Sequence, residues 1–298
     1  MNEESQRHPR KNAQRWAGLA VLAAALILMC FFPDLFGEAR GAGEPITASA
    51  AGKGDAVYFI DVGQGDASLI ESGGEYVLID GGTGLAEDAL VAYLKRLKVE
   101  RLRAVIATHP HEDHIGGLDK VLSCFPTDAF YMPDRSAATT CFEQMLDAVD
   151  AQQLEITIPE PGDKLSFGNG VLEFLSPSLE NDYEETNDFS IVTKLTLDGF
   201  KVLFMGDAEK TVERDLLRSG FNVDCDVIKL GHHGSSSSSS ETFLRAASPE
   251  TAIISCAKEN DYGHPHRETL ETLNKLKIDC LCTYDGTITL PAQTEDAA

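Results

Sequence analysis

Residues 108–117, THPHEDHIGG, decide the fold, because they place three histidines and two acids within six positions and end on two glycines. The apolar run VIA (105–107) before them predicts a strand, so the polar residues occupy the loop at its end. Within a tight turn the first two histidines can share one metal, while the aspartate and the last histidine turn toward a second. The candidate metal ligands in this segment are His109, His111, Asp113 and His114.

The types of candidate ligand indicate which metal ions the site could bind, and the remaining histidines are further candidate site residues. Imidazole nitrogens with a single carboxylate suit zinc and also hold manganese, so we expect Zn²⁺ or Mn²⁺, one or two ions per domain. Apart from His8, the other histidines fall into two pairs, 232/233 and 264/266. His264 and His266 flank Pro265, which holds them extended, so their side chains point the same way. Each is a candidate phosphate-binding group, general acid or substitute metal ligand, or part of a structural turn.

Composition separates an apolar N-terminal segment from an acidic globular domain. Residues 1–15 contain four Lys and Arg residues and lead into the apolar run 16–32, followed by a Gly- and Ala-rich linker, 33–54. This pattern predicts a signal peptide or a transmembrane anchor helix, with the remainder outside the cytoplasm, and the alternative is a buried core helix. The domain is expected over 55–291, before a short tail, 292–298. A formal net charge of −23 counts against a broad basic face, so any nucleic acid would be held locally by metal and a few side chains.

Beyond the linker, strand-like runs alternate with helical periodicity and predict one α+β domain. The runs AVYFIDVGQGDASLIES and EYVLIDGG predict two strands joined by a Ser-Gly-Gly turn, and residues 85–99 predict a helix. Residues 189–207 predict a hairpin that turns at Asp198 and Gly199. The serine run, 235–240, is typical of a flexible loop.

The H-x-H-x-D-H spacing at a strand end resembles that of the metallo-β-lactamase-fold hydrolases, which are αββα sandwiches. The segment LFMGDAE places Asp207 where that fold has a bridging aspartate, and VIKLGHHGS places a histidine pair where it has its last metal ligand. The resemblance implies that His233, directly before glycine, is that ligand. His232 is then a substrate-facing or catalytic group, or caps the loop.

A longer succession of motifs resembles the hydrolase domain of ComEC-type DNA-internalisation competence proteins. The motifs span essentially all of 55–291 and read FIDVGQGDASLI, VLIDGG, THPHEDHIGGL, NDFSIV, MGDAE, KLGHHGS and YGHPH. The resemblance implies DNA or another phosphodiester as substrate. In those proteins the domain accompanies a multi-pass channel, so here a channel would come from a separate protein, or the chain is a free-standing anchored or secreted nuclease.

The sequence departs from the general fold between His114 and Asp207, where it contains no histidine. An N-x-x-S element, Asn187 to Ser190, stands there instead, and an amide oxygen is a weak zinc ligand. The first metal site is therefore expected to be shallow, partly filled by water or occupied only with substrate. Four polar residues are candidates for supporting the ligands, or for structural turns: Asp66, Asp80, Asn187 and Ser190.

The expected reaction is metal-assisted hydrolysis of a phosphodiester, in which Asp113 ligates metal and orients the attacking water. Asp207 would position the ions, and His232, His264 or His266 would stabilise negative charge in the transition state. One rival is hydrolysis of an ester, lactone, thioester or lactam on the same fold, although the missing histidine counts against it. The other is a non-catalytic, membrane-tethered accessory of DNA uptake. The sequence leaves the oligomeric state open.

Overall fold

The structure is a computed structural model that describes residues 54–291, within which the strands form two seven-stranded sheets. The first sheet contains β1 (Ala56–Phe59), β2 (Ser68–Ser72), β3 (Glu75–Ile79), β4 (Ala104–Ile106), β5 (Phe130–Tyr131), β6 (Ile156–Thr157) and β14 (Ile288–Pro291). The second contains β7 (Lys164–Phe167), β8 (Gly170–Ser176), β9 (Val192–Leu197), β10 (Phe200–Phe204), β11 (Val227–Lys229), β12 (Thr251–Ile254) and β13 (Asp279–Cys282). The strand orders are β14-β1-β2-β3-β4-β5-β6 and β13-β12-β11-β10-β9-β8-β7.

Helices cover the outer face of each sheet. They are α1 (Glu87–Arg96), α2 (Glu112–Ile115), α3 (Leu118–Cys124), α4 (Thr140–Ala151), α5 (Lys210–Ser219), α6 (Glu241–Ala247) and α7 (Arg267–Leu276). Apolar residues of α1, α3 and α4 pack against the first sheet, and those of α5, α6 and α7 pack against the second. A third apolar cluster lies between the two sheets, which completes the αββα sandwich expected from the sequence.

The two-residue period of the strands explains why both faces of each sheet are apolar. In β1, Ala56 and Tyr58 pack toward the helices, while Val57 and Phe59 pack toward the second sheet. The Phe59 ring meets the Phe204 ring across the sandwich, with their centroids 5.8 Å apart. Strands buried on both faces read as continuous apolar runs, which is how they appear in this sequence.

The parallel part of each sheet positions the polar loops. Strands β3 to β6 run parallel in the first sheet, and β10 to β13 run parallel in the second. The carboxyl ends of parallel strands meet at one edge of a sheet, and ligands in such sheets bind beyond that edge. The loops after β3, β4, β10 and β11 contain the motifs singled out in the sequence.

Some predicted elements differ in detail. The run AVYFIDVGQGDASLIES contains two strands, β1 and β2, because its glycines turn the chain between them. The hairpin β9–β10 turns at Asp198 and Gly199 as expected, and both residues have positive φ. At the C-terminal end of the domain, β13 belongs to the second sheet and β14 to the first.

The predicted apolar segment, 16–32, lies outside the described residues, as do most of the linker and the tail. Within residues 54–291, no helix has the length and apolar character needed to span a membrane.

Candidate metal centre

The predicted metal ligands converge at the strand ends of both sheets. The loop after β4 and helix α2 position four of them, and the loops after β10 and β11 position the others. Gly206, just before Asp207, has a φ of 54°. A Cβ there would lie 3.0 Å from the Ser190 Cβ and 3.1 Å from the Thr108 Cβ, so only glycine fits this close approach of three loops.

Asp207 lies between two groups of imidazoles, and each of its oxygens faces one group. Its Oδ2 is 3.8 Å from His109 Nε2 and 3.9 Å from His232 Nε2. His111 completes this first group, with its Nδ1 3.0 Å from His109 Nε2. Burial is the largest influence on the pKa values of His109 and His111 and lowers both, so both rings are neutral and can offer a lone pair.

The second group lies around the other oxygen. Asp207 Oδ1 is 3.2 Å from His114 Nε2 and 3.6 Å from His233 Nε2. Asp113 joins them, because its Oδ2 is 3.2 Å from His233 Nε2. Asp207 Oδ1 and His114 Nε2 are buried and, among the described residues, have no aligned hydrogen-bond partner. Buried polar atoms normally have one, so an unpaired carboxylate oxygen beside an unpaired imidazole nitrogen fits a metal ion.

The pKa values in this second group reflect opposing influences. Burial raises the pKa of Asp207, but His233 and His114 outweigh it and hold that pKa well below its usual value. Burial lowers the pKa of His114, but Asp207 and Asp80 outweigh it and raise that pKa well above its usual value. The carboxylate is therefore ionised at neutral pH, and the negative charge around the rings favours a cation at their centre.

Asp80 orients His114. Its Oδ2 is 2.8 Å from His114 Nδ1 and accepts from the Thr108 hydroxyl at 2.7 Å, and its Oδ1 accepts from the Thr108 backbone N–H at 2.8 Å. A carboxylate on the far nitrogen of an imidazole fixes the tautomer and directs the other nitrogen toward a metal. Burial is the largest influence on the Asp80 carboxyl and raises its pKa.

Asp66 lies behind His233. Its donor oxygen belongs to a group, with His114, Asp207 and His233, whose donor atoms all lie within 4.8 Å of one another. However, Asp66 Oδ2 is 2.6 Å from the buried Lys229 Nζ, and Oδ1 faces His233 Nδ1 at 3.4 Å. Because Asp66 approaches the far side of the ring and already has a cation partner, its position suits support of His233 rather than ligation.

Two backbone contacts fix the rings and loops around His233. Its Nδ1 lies 2.8 Å from the Ser255 carbonyl oxygen, and its Nε2 points toward the centre, 3.2 Å from Asp113 Oδ2. The Asp66 N–H donates to the Asp113 carbonyl at 3.0 Å, and a Cβ on Gly65 would approach that carbonyl oxygen to 2.3 Å. The GQGD turn is therefore both a tight strand connection and a support for the metal-binding loop.

The N-x-x-S element contacts the candidate ligands of the first group. Ser190 Oγ accepts from the Asp207 N–H at 3.0 Å and lies 3.3 Å from His109 Nδ1. The Asn187 amide nitrogen is 3.3 Å from His232 Nδ1. Ser190 thus contacts His109 on the side away from the centre, whereas Asn187 lines the cleft, and its buried Oδ1 has no hydrogen-bond partner among the described residues.

His232 is the third imidazole of the first group. The segment between His114 and Asp207, where the general fold has that histidine, contains none. Glu209 Oε1 is 2.9 Å from His232 Nδ1 and accepts from the Ser237 hydroxyl at 2.9 Å. The hydrogen bond to His232 is the largest influence on the Glu209 carboxyl and lowers its pKa. Sequence reasoning missed Glu209, and the only signal was an acid two residues after Asp207.

The backbone at this histidine pair is unusual. His232 and His233 have φ values of 48° and 54°, so two successive non-glycine residues adopt the left-handed region. Such residues cost about 1–3 kcal/mol each and concentrate at functional sites. Here the conformation directs one ring toward each oxygen of Asp207.

The serine run, 235–240, is expected from the sequence to be a flexible loop. In the structure it packs beneath this turn, and Ser238 is only 2% exposed.

The side chains of His264 and His266 point to different partners. The His264 ring lies 5.3 Å from the His232 ring, and its Nδ1 has no hydrogen-bond partner among the described residues. Burial, with the neighbouring histidines, lowers its pKa to about 4, so it is neutral at pH 7. His266 is directed away: its Nδ1 accepts from the Ser236 N–H at 2.9 Å, and its Nε2 is 3.1 Å from the Tyr262 carbonyl oxygen. The structure therefore brings His264, but not His266, to the centre.

Sequence comparison places these features in a family. Residues 60–258 match the metallo-beta-lactamase superfamily. The chain is 32% identical over 251 residues to ComE operon protein 3 of Bacillus subtilis, covering 78% of this chain and 32% of that protein. It is 33% identical over 217 residues to competence protein ComA of Neisseria gonorrhoeae, covering 70% of this chain and 28% of that protein. The chain thus spans about a third or less of these relatives.

Solved structures share the fold at low identity. The metallo-beta-lactamase fold protein YhfI from Bacillus subtilis has a TM-score of 0.56 at 14% identity, covering 80% of this chain and 100% of that one. Igni18, a metallo hydrolase from Ignicoccus hospitalis, has 0.54 at 17%, with 80% and 100% covered. CmlA, a diiron β-hydroxylase from Streptomyces venezuelae, has 0.54 at 13%, with 81% and 55% covered. From its matched residues and its fold, the chain belongs to the metallo-beta-lactamase superfamily of metal-dependent hydrolases.

Proposed function

We propose that the chain is a metal-dependent phosphodiesterase that hydrolyses DNA. The observation that carries this proposal is the position of Asp207, whose two oxygens face two separate groups of imidazoles. A carboxylate shared in this way suits a pair of ions, and two-metal sites are common in phosphatases and nucleases. When bound, Zn²⁺ or Mn²⁺ would supply Lewis acidity toward a phosphoryl oxygen and lower the pKa of water.

Each ion has a proposed set of ligands from this chain. The first set is His109, His111, His232 and Asp207 Oδ2. The second set is Asp113, His114, His233 and Asp207 Oδ1. His232 takes the place of the histidine that the sequence lacks, so we assign it to the metal rather than to the substrate, and the first site is no longer expected to be shallow.

Asp113 is the proposed group that orients the attacking water. Its side chain is 28% exposed, whereas that of Asp207 is 3% exposed, so Asp113 is the more accessible of these two carboxylates. Burial raises its pKa, but the hydrogen bond from His233 and the nearby His114 outweigh burial and lower it. The carboxylate is therefore ionised at neutral pH and can accept a hydrogen bond from water.

His264 is the proposed donor to the phosphate. Its neutral ring lines the cleft beside His232, and its N–H is the proposed donor to a phosphoryl oxygen. His266, which contacts the loop backbone, would act by holding the loop in which His264 lies.

DNA is proposed as the substrate because curated relatives include competence proteins. The cleft, of about 540 Å³, is lined by histidines, acids and neutral residues, and none of its lining residues within 54–291 is a lysine or arginine. We therefore favour short or single-stranded DNA over long duplex, because duplex binding depends on many phosphate contacts from basic residues. The apolar run 16–32 supports a proposed location outside the cytoplasm, anchored or secreted, with any channel formed by another protein.

The test uses the purified full-length chain, stripped of metal and then supplied with Zn²⁺ or Mn²⁺. We expect cleavage of labelled single-stranded DNA to return with metal and to be lost in Asp113→Ala. If neither single- nor double-stranded DNA is cut while a thioester or lactam is, a carbonyl hydrolase replaces the nuclease. If DNA is bound but nothing is cut with either metal, the non-catalytic accessory is supported instead.

A further inference from the structure

An exposed aromatic side chain stands at the mouth of the metal-lined cleft. Tyr262 lines the same cavity as His111, Asp113 and Asp207, yet 64% of its surface is exposed. The ring is nearly parallel to that of His264, with centroids 5.6 Å apart and planes 18° apart. This offset stacking leaves the other face of the tyrosine open to solvent.

The loop that contains Tyr262 is held firmly despite this exposure. The Asn260 amide nitrogen donates to the Ala257 carbonyl at 2.9 Å and to the His264 carbonyl at 2.7 Å, while its oxygen accepts from the His264 N–H at 2.9 Å. A rigid platform loses little conformational freedom when a ligand packs on it, so the position favours binding.

The rest of the cleft offers little attraction for a polyanion. In the part of the chain that the structure describes, its lining includes Glu112, Asp113 and Asp207 and contains no lysine or arginine. Beyond metal–phosphate contacts, affinity must then come from neutral parts of the substrate. Every nucleobase has a flat π-face, and stacking on an aromatic side chain is worth about 1–3 kcal/mol per base, with little dependence on sequence.

We propose that Tyr262 is a stacking surface for a nucleobase next to the scissile phosphodiester. The inference rests on the proposed phosphodiesterase function and adds its substrate class: nucleotides with an unpaired base, in preference to phosphodiesters without bases. The free face of Tyr262 receives one base, and His264 supports the opposite face. A base inside a duplex cannot reach that face, so the subsite selects single-stranded ends or fragments.

The test compares two substrates on the metal-loaded full-length chain. One is a short single-stranded oligonucleotide, and the other is an oligonucleotide of equal length built from abasic tetrahydrofuran residues. We expect the abasic substrate to have a KM about tenfold higher in the unaltered chain, with little change in kcat, because stacking is lost before the chemical step. Tyr262→Ala should raise the KM of the normal substrate by a similar factor and leave that of the abasic substrate unchanged.

Two control variants separate stacking from other effects. Tyr262→Phe keeps the ring and should keep the KM for the normal substrate. Leu179→Ala removes another exposed apolar side chain, which is 59% exposed and is not among the cleft-lining residues. It should leave the KM of both substrates unchanged. Equal KM values for the two substrates, or a Tyr262→Ala variant that behaves as the unaltered chain, would overturn the stacking proposal alone. If the unaltered chain cleaves neither substrate, the phosphodiesterase proposal fails as well.

Discussion

Replacing His232 by alanine gives the sharpest test of the metal assignment. The change removes one imidazole from the first ligand set and leaves the second set intact, because His232 Nε2 faces Asp207 Oδ2 while the second set surrounds Oδ1. We therefore expect the unaltered chain to hold two ions after dialysis and the variant to hold one.

The expected loss of metal affinity follows from the ligands that remain in the first set. Without His232 the first set keeps His109, His111 and one oxygen of a carboxylate shared with the other ion. Loss of a group that only orients a ligand typically weakens metal affinity by about 10–100-fold, so loss of the ligand itself should weaken it further. Glu209→Gln, which removes the charge behind His232, should give the smaller, roughly 10–100-fold effect.

Metal per chain is measured by atomic emission after equilibrium dialysis, and affinity is measured by chelator competition. His264→Ala is the matched control, because it removes the neighbouring imidazole, whose ring is 5.3 Å from that of His232. It should keep two ions. Two tightly held ions in His232→Ala, or a single ion in the unaltered chain, would refute the reasoning.

Two further changes test the groups behind the ligands. Asp80→Asn weakens the orientation of His114 and should lower metal affinity by about 10–100-fold in chelator competition, whereas an unchanged affinity would contradict the role given to this carboxylate. Lys229→Met leaves the buried Asp66 carboxylate without its cation and should lower the free energy of unfolding by about 3–5 kcal/mol in urea denaturation. Asp66→Asn in that background should restore most of the loss, and a single-variant effect below about 1 kcal/mol would argue against a stabilising pair.

The first half of the site could be predicted because its information is local. A strand followed directly by H-x-H-x-D-H places His109, His111, Asp113 and His114 within one turn, whatever the rest of the chain does. The α+β class could be predicted because strand-like apolar runs alternate with amphipathic helices, whereas the αββα sandwich is implied by the resemblance to the metallo-β-lactamase fold.

The second half depends on tertiary contacts that no spacing reveals. Whether His232 or His233 points to a given oxygen is decided by two left-handed residues, and the sequence HHG alone does not specify that conformation. The roles of Glu209 and Lys229 likewise appear only when loops from different strands meet. His264 and His266 show the same limit, because Pro265 predicts an extended pair while the loop directs the two rings to different partners.

The pairing of β14 with β1 affects the solubility of the chain during synthesis and after C-terminal truncation. The last described strand pairs with the first over four residue pairs, from Ala56 with Pro291 to Phe59 with Ile288. Until the ribosome has released residue 291, β1 remains an unpaired edge with a fully buried sequence, and such edges invite aggregation. A truncation before Ile288 would therefore damage solubility even though it removes no metal ligand, and a C-terminal fusion partner needs a spacer beyond Pro291.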